Sequence, residues 1–129
     1  MSASDLQSSD EQLRPILKEL NSISGHIEAS AIMSRDGLSV ASVLGQGVDP
    51  DRLGAMCAAL LGLADTTARE LNRGELQQVL IHGSLGFMLI THVGEKAVLA
   101  VATKPGTNLG MVFLETKKAA TKISNILYS

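Results

Sequence analysis

Apolar residues recur first at Leu13, Ile16, Leu17 and Leu20, one face of a helix. Ser9-Asp10-Glu11-Gln12 just before them has the S-x-x-Q pattern of a capping box, with acids where a helix N-terminus favours negative charge. Pro15 is comfortable only in a first turn, so this helix either starts nearer Arg14 or is kinked. It should end by Ser24, with Gly25 as the stop. Residues 28–33 and 40–44 are short β-leaning runs around Ser34-Arg35-Asp36-Gly37, and Asp-Gly between two such runs signals a hairpin. Asp49-Pro50-Asp51 opens a second helix, predicted to reach about Asn72 with Gly74 just beyond. Three β-like runs follow at 76–82, 87–93 and 97–103, and their short connections make them an antiparallel meander. The last helix begins near Asn108, with Leu109, Val112, Phe113, Ala119, Ala120, Ile123, Ile126 and Leu127 at helical spacing. Lys117, Lys118 and Lys122 lie towards its C-terminal half, where the helix dipole welcomes cations. The predicted order is α-β-β-α-β-β-β-α, an α/β chain of the α+β type. It reads as a flexible tail over 1–9 and a single domain over 10–129.

The second helix has no evident wet side. Turning 100° per residue from Leu53 gathers Met56, Leu60, Leu63, Ala64, Thr67 and Leu71 on one side, which is expected to pack on the sheet. Gly54, Ala55, Ala58, Ala59 and Gly62 fall on the other, and no charge occurs between Leu53 and Ala64. Two glycines in a helix interior each cost about 0.8–1.0 kcal/mol relative to Ala, so something should approach the backbone there. Either another element of the same fold covers this side, or a second copy of the helix does across a two-fold axis; the second is favoured. The stretch Leu76-Gln77-Gln78-Val79-Leu80-Ile81 has no Pro, Lys or internal Gly, so as a sheet edge it would be undefended against pairing with another chain. The expected self-association surface is Gly54, Ala55, Ala58, Ala59, Leu61 and Gly62 with Leu76, Gln78 and Leu80.

Composition narrows the function classes. With 45% hydrophobic and 19% charged residues the chain is of the globular type. Eleven basic residues against thirteen acidic ones give no concentrated positive field for nucleic acid or an anionic membrane, so neither is an expected partner. The longest apolar run, residues 55–64, is about half of a bilayer span, and the start of the chain lacks a signal-peptide pattern; a cytoplasmic location is expected. Aromatic residues are scarce, only Phe87, Phe113 and Tyr128, which disfavours a stacking pocket for a nucleotide or flavin.

Chemistry-bearing constellations are not evident. Cys57 lies among apolar residues and reads as a buried, inert thiol. His26, His82 and His92 lack metal-site spacing; His82 and His92 could be neighbours across adjacent strands, but two imidazoles make a poor zinc site. Residues 45–47 precede a helix as phosphate loops do, yet lack the Gly-Lys-Ser/Thr ending. No catalytic, cofactor or metal site is expected, and no small-molecule substrate. Asp65, Arg69, Glu70 and Arg73 are either a solvated, ion-paired helix end or part of a surface that a partner protein touches.

Taken together, Asn108-Leu109-Gly110-Met111-Val112 with Glu115 and Ala119-Ala120, Glu75-Leu76-Gln77-Gln78-Val79-Leu80-Ile81 with Gly83 and Gly86, and the Ser34-Arg35-Asp36-Gly37-Leu38 turn resemble the Roadblock/LC7 family over residues 10–127. That resemblance implies a five-stranded antiparallel sheet of order 2-1-5-4-3, the second helix on one face and the first and third on the other. It also implies a homodimer through the second helix and third strand. Bacterial and archaeal members of the family are commonly partners of small Ras-like GTPases, including one of gliding motility. The expected function is therefore a homodimeric regulator or scaffold for such a GTPase. The alternative is a profilin-like ligand-sensing domain.

Overall fold

The computed structural model describes residues 9–23 and 25–128, so most of the expected tail and the helix end at Ser24 lie outside the described residues. Helix α1 spans Asp10–Ile23 and opens directly after Ser9, whose carbonyl accepts from the backbone N–H groups of Gln12 and Leu13, both at 3.0 Å. The later start near Arg14 is thereby excluded. Pro15 sits in the second turn on the exposed side, while Leu13, Leu17 and Leu20 are buried on the other.

Strands β1 (Ile27–Ser34) and β2 (Ser39–Val43) form the expected hairpin. Its tip closes through Gly37 N–H to Ser34 O at 3.0 Å, and Gly37 has φ +90°, a conformation that favours glycine. Helix α2 spans Pro50–Glu70, with the Asp49 side chain accepting from Asp51 N–H at 3.0 Å and Pro50 in the first turn. Strands β3 (Gln78–Gly83), β4 (Gly86–Val93) and β5 (Ala97–Thr103) follow, then α3 (Leu109–Leu127), whose N-cap Asn108 accepts from Met111 N–H at 3.2 Å. Strand β3 starts two residues later than its composition suggests, because its first ladder pair is Gln78 opposite Thr91.

The sheet order is β2-β1-β5-β4-β3 with every pair antiparallel, as the resemblance implied. Alternation along central β5 sorts side chains into two cores. Ala97, Leu99 and Val101 join Leu13, Leu17, Leu20, Ile32, Leu89, Val112, Ile123 and Leu127 beneath α1 and α3. Val98 and Ala100 join Ala31, Met33, Ile90, Cys57 and Leu61 beneath α2. At the chain's end the Tyr128 hydroxyl donates to Val93 O at 2.8 Å and accepts from Lys96 N–H at 3.1 Å, tying α3 to the β4–β5 turn.

Candidate interaction surface

Helix α2 is turned differently from the helical-wheel expectation. Its buried residues are Gly54, Cys57 and Leu61, whereas Met56 (50% exposed), Leu60 (37%) and Leu63 (70%) point away from the sheet. The reason is a backbone contact. A Cβ on Gly54 would collide with the Gly37 carbonyl oxygen, so the helix lies directly on the β1–β2 tip, closer than a side chain would permit. Gly54, Cys57 and Leu61 therefore face the sheet, and Met56, Leu60 and Leu63 are left outside. Two expected interface residues are corrected by this: Gly54 is covered by Gly37 of its own chain, and Leu61 is 4% exposed within the core. Ala55, Ala59 and Gly62 remain exposed, Ala58 is half-buried, and a Cβ on Gly62 would meet nothing within 4 Å. The outward face of α2 is thus more apolar than the small-residue stripe alone, with Met56, Leu60 and Leu63 added to it.

Strand β3 lies at the edge of the sheet, and its composition leaves that edge undefended. Val79 and Ile81 lie on the α2 side, opposite Ile90 and Met88, and Ile81 is 38% exposed. Leu80 and Gln78 lie on the other side, opposite Leu89 and Thr91, and Leu76 is half-buried just before the strand. The structure thus places Gln78 and Leu80 on the face away from α2 and brings Ile81 to the α2 side, a residue that spacing along β3 could have identified.

The C-terminal end of α2 carries a charged cluster. Asp65 is half-buried and pairs with Arg35 at 3.5 Å, while Arg35 also donates to the Glu95 carbonyl at 3.1 Å. Arg69 donates from Nε to the Asp65 carbonyl at 3.4 Å, and Arg73 from Nε to the Leu71 carbonyl at 2.9 Å. Arg35 thereby joins two turns and a helix that are distant in sequence. Arg35, Asp65, Arg69, Glu75, His92 and Glu95 line an open cleft of about 670 Å³. The sequence reading found Asp65 and Arg69 but missed Arg35, Glu95 and His92. Glu70 and Arg73 are exposed and lie outside that cleft.

These features can be set beside known proteins. A family model described as the Roadblock/LC7 domain matches residues 15–103. The chain belongs to the Roadblock/LC7 family. Two uncharacterized proteins of Methanocaldococcus jannaschii are each 41% identical over 108 residues, 84% of this chain and 93% of theirs. Among solved structures, Myxococcus xanthus MglB aligns with a TM-score of 0.83 at 22% identity, covering 89% of this chain and 94% of its own. A Roadblock/LC7 domain from Streptomyces avermitilis aligns with a TM-score of 0.84 at 17% identity, covering 91% and 98%. At such identities these two likenesses speak for the fold. The family match ends before α3, so the Asn108–Val112 stretch lies outside it.

Within this Roadblock/LC7 fold the thiol and the histidines take separate places. Cys57 is 1% exposed, and burial pushes its thiol up to about 11, away from the reactive thiolate. His82 and His92 are not cross-strand neighbours: His82 is opposite Phe87 and stacks on its ring at 4.3 Å, while His92 is opposite Val98. Among the described residues no group of three or more His, Cys, Asp or Glu could hold a metal ion.

His92 has a buried Nδ1 without a hydrogen-bond partner, and its imidazole titrates below the ordinary value of 6.5. Burial is the main cause, with the Arg35 charge adding to it and Asp65 partly opposing. Protonation therefore favours the unfolded chain. The His92 contribution to stability is complete above the unfolded value near 6.5 and is lost as pH falls towards the lower folded value. Thermal melts from pH 7 to pH 5 should drop more steeply for the wild type than for His92→Gln. Parallel profiles would show that His92 is not held neutral by the fold.

Proposed function

We propose that this Roadblock/LC7 chain is a homodimeric regulator or scaffold that binds a small Ras-like GTPase in the cytoplasm and shifts its nucleotide state or its location. The observation that carries this reading is the uncovered apolar face of α2, where Ala55, Met56, Ala59, Leu60, Gly62 and Leu63 lie outward over twelve residues free of charge. That face shares its side of the sheet with Ile81 on the unpaired edge strand. A second copy would bury both together, and a homodimer makes such a patch on both partners self-complementary. The charged cluster at the end of each α2 would flank the dimer seam. Charges at a rim tune association rate and salt sensitivity more than they add affinity.

The test uses the Ras-like GTPase encoded nearest this gene, loaded in turn with GDP and with a GTP analogue. Wild-type protein should bind one form more tightly and bind it more weakly as salt is added. The Arg69→Glu, Arg73→Glu double substitution should leave the dimer intact and weaken that binding about tenfold, the equivalent of about 1.4 kcal/mol. Equal affinity for both forms would leave a scaffold, because a partner with equal affinity for two states shifts nothing between them. Binding to neither form would remove that GTPase as the partner. The ligand-sensing alternative calls for an enclosed pocket; the clefts beside α2 and α3 among the described residues are open, and the former is lined mainly by charged and polar residues.

A further inference from the structure

Among the described residues three helices cover this sheet unevenly. On the face away from α2, α1 packs over β1 and β2, and α3 packs against α1 and β4. Among the described residues no helix covers β3 there: Leu80 is 40% exposed beside the buried Leu89, and His82 lies exposed on Phe87. Between α3 and β3 runs a groove of about 620 Å³. It lies on the opposite face from the proposed dimer surface, so pairing through α2 would leave it open.

The lining of this groove has a distinct chemistry. Leu89, Val93, Phe113 and Ala120 supply apolar surface, and Gln78, Thr91, Thr121, Ser124 and Asn125 supply amides and hydroxyls. Among the described residues no carboxylate lines it, although the protein as a whole carries more acids than bases. Lys117 does. Of the three lysines on α3, Lys118 pairs with Glu115 and Lys122 with Glu19, whereas Lys117 makes no ion pair among the described residues. Thr116, also on the groove wall, is 2% exposed with its hydroxyl unpartnered. A buried hydroxyl without a partner is costly.

We propose that this groove binds an extended, acidic segment of a partner protein, with an aliphatic side chain over Leu89, Phe113 and the adjoining Leu80, and a carboxylate against Lys117. An extended chain suits the site because the trough runs beside a strand and offers amide and hydroxyl partners to a peptide backbone. Charge selects the acidic class: a carboxylate finds an unpaired cation and no repulsion, and a basic segment finds the reverse. The inference is independent of the GTPase reading, since it concerns another face.

A display library of random ten-residue peptides, selected on the purified full-length protein, tests this directly. Enriched sequences should combine an aliphatic residue with Asp or Glu, and the synthetic form of the most enriched one should be measured against variants. Lys117→Glu should weaken it at least tenfold and Lys118→Glu less than twofold. Ala120→Arg, which fills the trough, should abolish it, and a circular-dichroism melt would show that the variant remains folded. Amide shifts on peptide addition should concentrate at Gln78, Thr91, Lys117 and Thr121. Selection without an acidic preference, equal binding to Lys117→Glu, or shifts confined to α2 would each overturn the proposal.

Discussion

Replacing Gly54 by alanine should destabilise the protein by about 1–3 kcal/mol, although alanine is the better helix former by about 1 kcal/mol. The added methyl has nowhere to go. It would collide with the Gly37 carbonyl oxygen, backbone that cannot rotate aside, and Gly37 itself sits at φ +90° at a hairpin tip. To admit the methyl, α2 would have to lift off the sheet, opening space around Cys57 and Leu61 and weakening the core below them. For a chain of this length the expected fall in melting temperature is roughly 4–12 °C. Gly62 is the internal contrast: a Cβ there meets nothing within 4 Å in its own chain, so at concentrations where the chain is monomeric Gly62→Ala should be neutral or stabilising by up to about 1 kcal/mol. Calorimetric scans of the two variants should move in opposite directions. If Gly54→Ala melts with or above the wild type, the close approach of α2 to the hairpin tip is wrong.

Leu60→Glu should split the proposed homodimer, raising its dissociation constant at least about a hundredfold, or about 3 kcal/mol. Leu60 lies outward between Met56 and Leu63, so across a two-fold seam its replacement would bury two carboxylates in an apolar contact without partners. Leu114→Glu, on α3 and already 53% exposed, should leave assembly unchanged. Sedimentation equilibrium separates the two outcomes, and a wild-type chain that is monomeric at tens of micromolar would remove the dimer altogether. Placing the charge at Leu60 rather than Gly54 is a direct consequence of how α2 is seated. A charge at position 54 would disrupt the fold itself and report nothing about assembly.

The elements themselves were legible because their signals are local. Ser9, Asp49 and Asn108 stand at helix starts, Gly37 sits at the hairpin tip with positive φ, and the short connections among β3, β4 and β5 can only join antiparallel neighbours. Each feature depends on backbone chemistry within a few residues. The seating of α2 was not legible in this way. A wheel of apolar positions assumes that the bulkiest side faces the core, but α2 is apolar nearly all round, so periodicity could not orient it. The two glycines posed the same limit: both signalled a close approach, and only one of them has it.

The candidate site divides along the same line. Asp65 and Arg69 stood out because they are one helical turn apart, a relation that spacing reveals. Arg35, His92 and Glu95 join them only when the β1–β2 and β4–β5 turns come together beside α2, a juxtaposition of residues some thirty positions or more apart. Lys117, which makes no ion pair among the described residues, was equally hidden within a run of lysines that read as one solvated face, until Glu115 and Glu19 took up its two neighbours. Sequence alone determined the order of elements, the strand pairings among near neighbours and the charge-free stretch over residues 53–64 of α2, because short-range backbone and solvation preferences set them. Tertiary structure decided which side of α2 meets the sheet, which charges share a cleft and which strand goes uncovered, because those depend on steric fit between segments far apart in the chain.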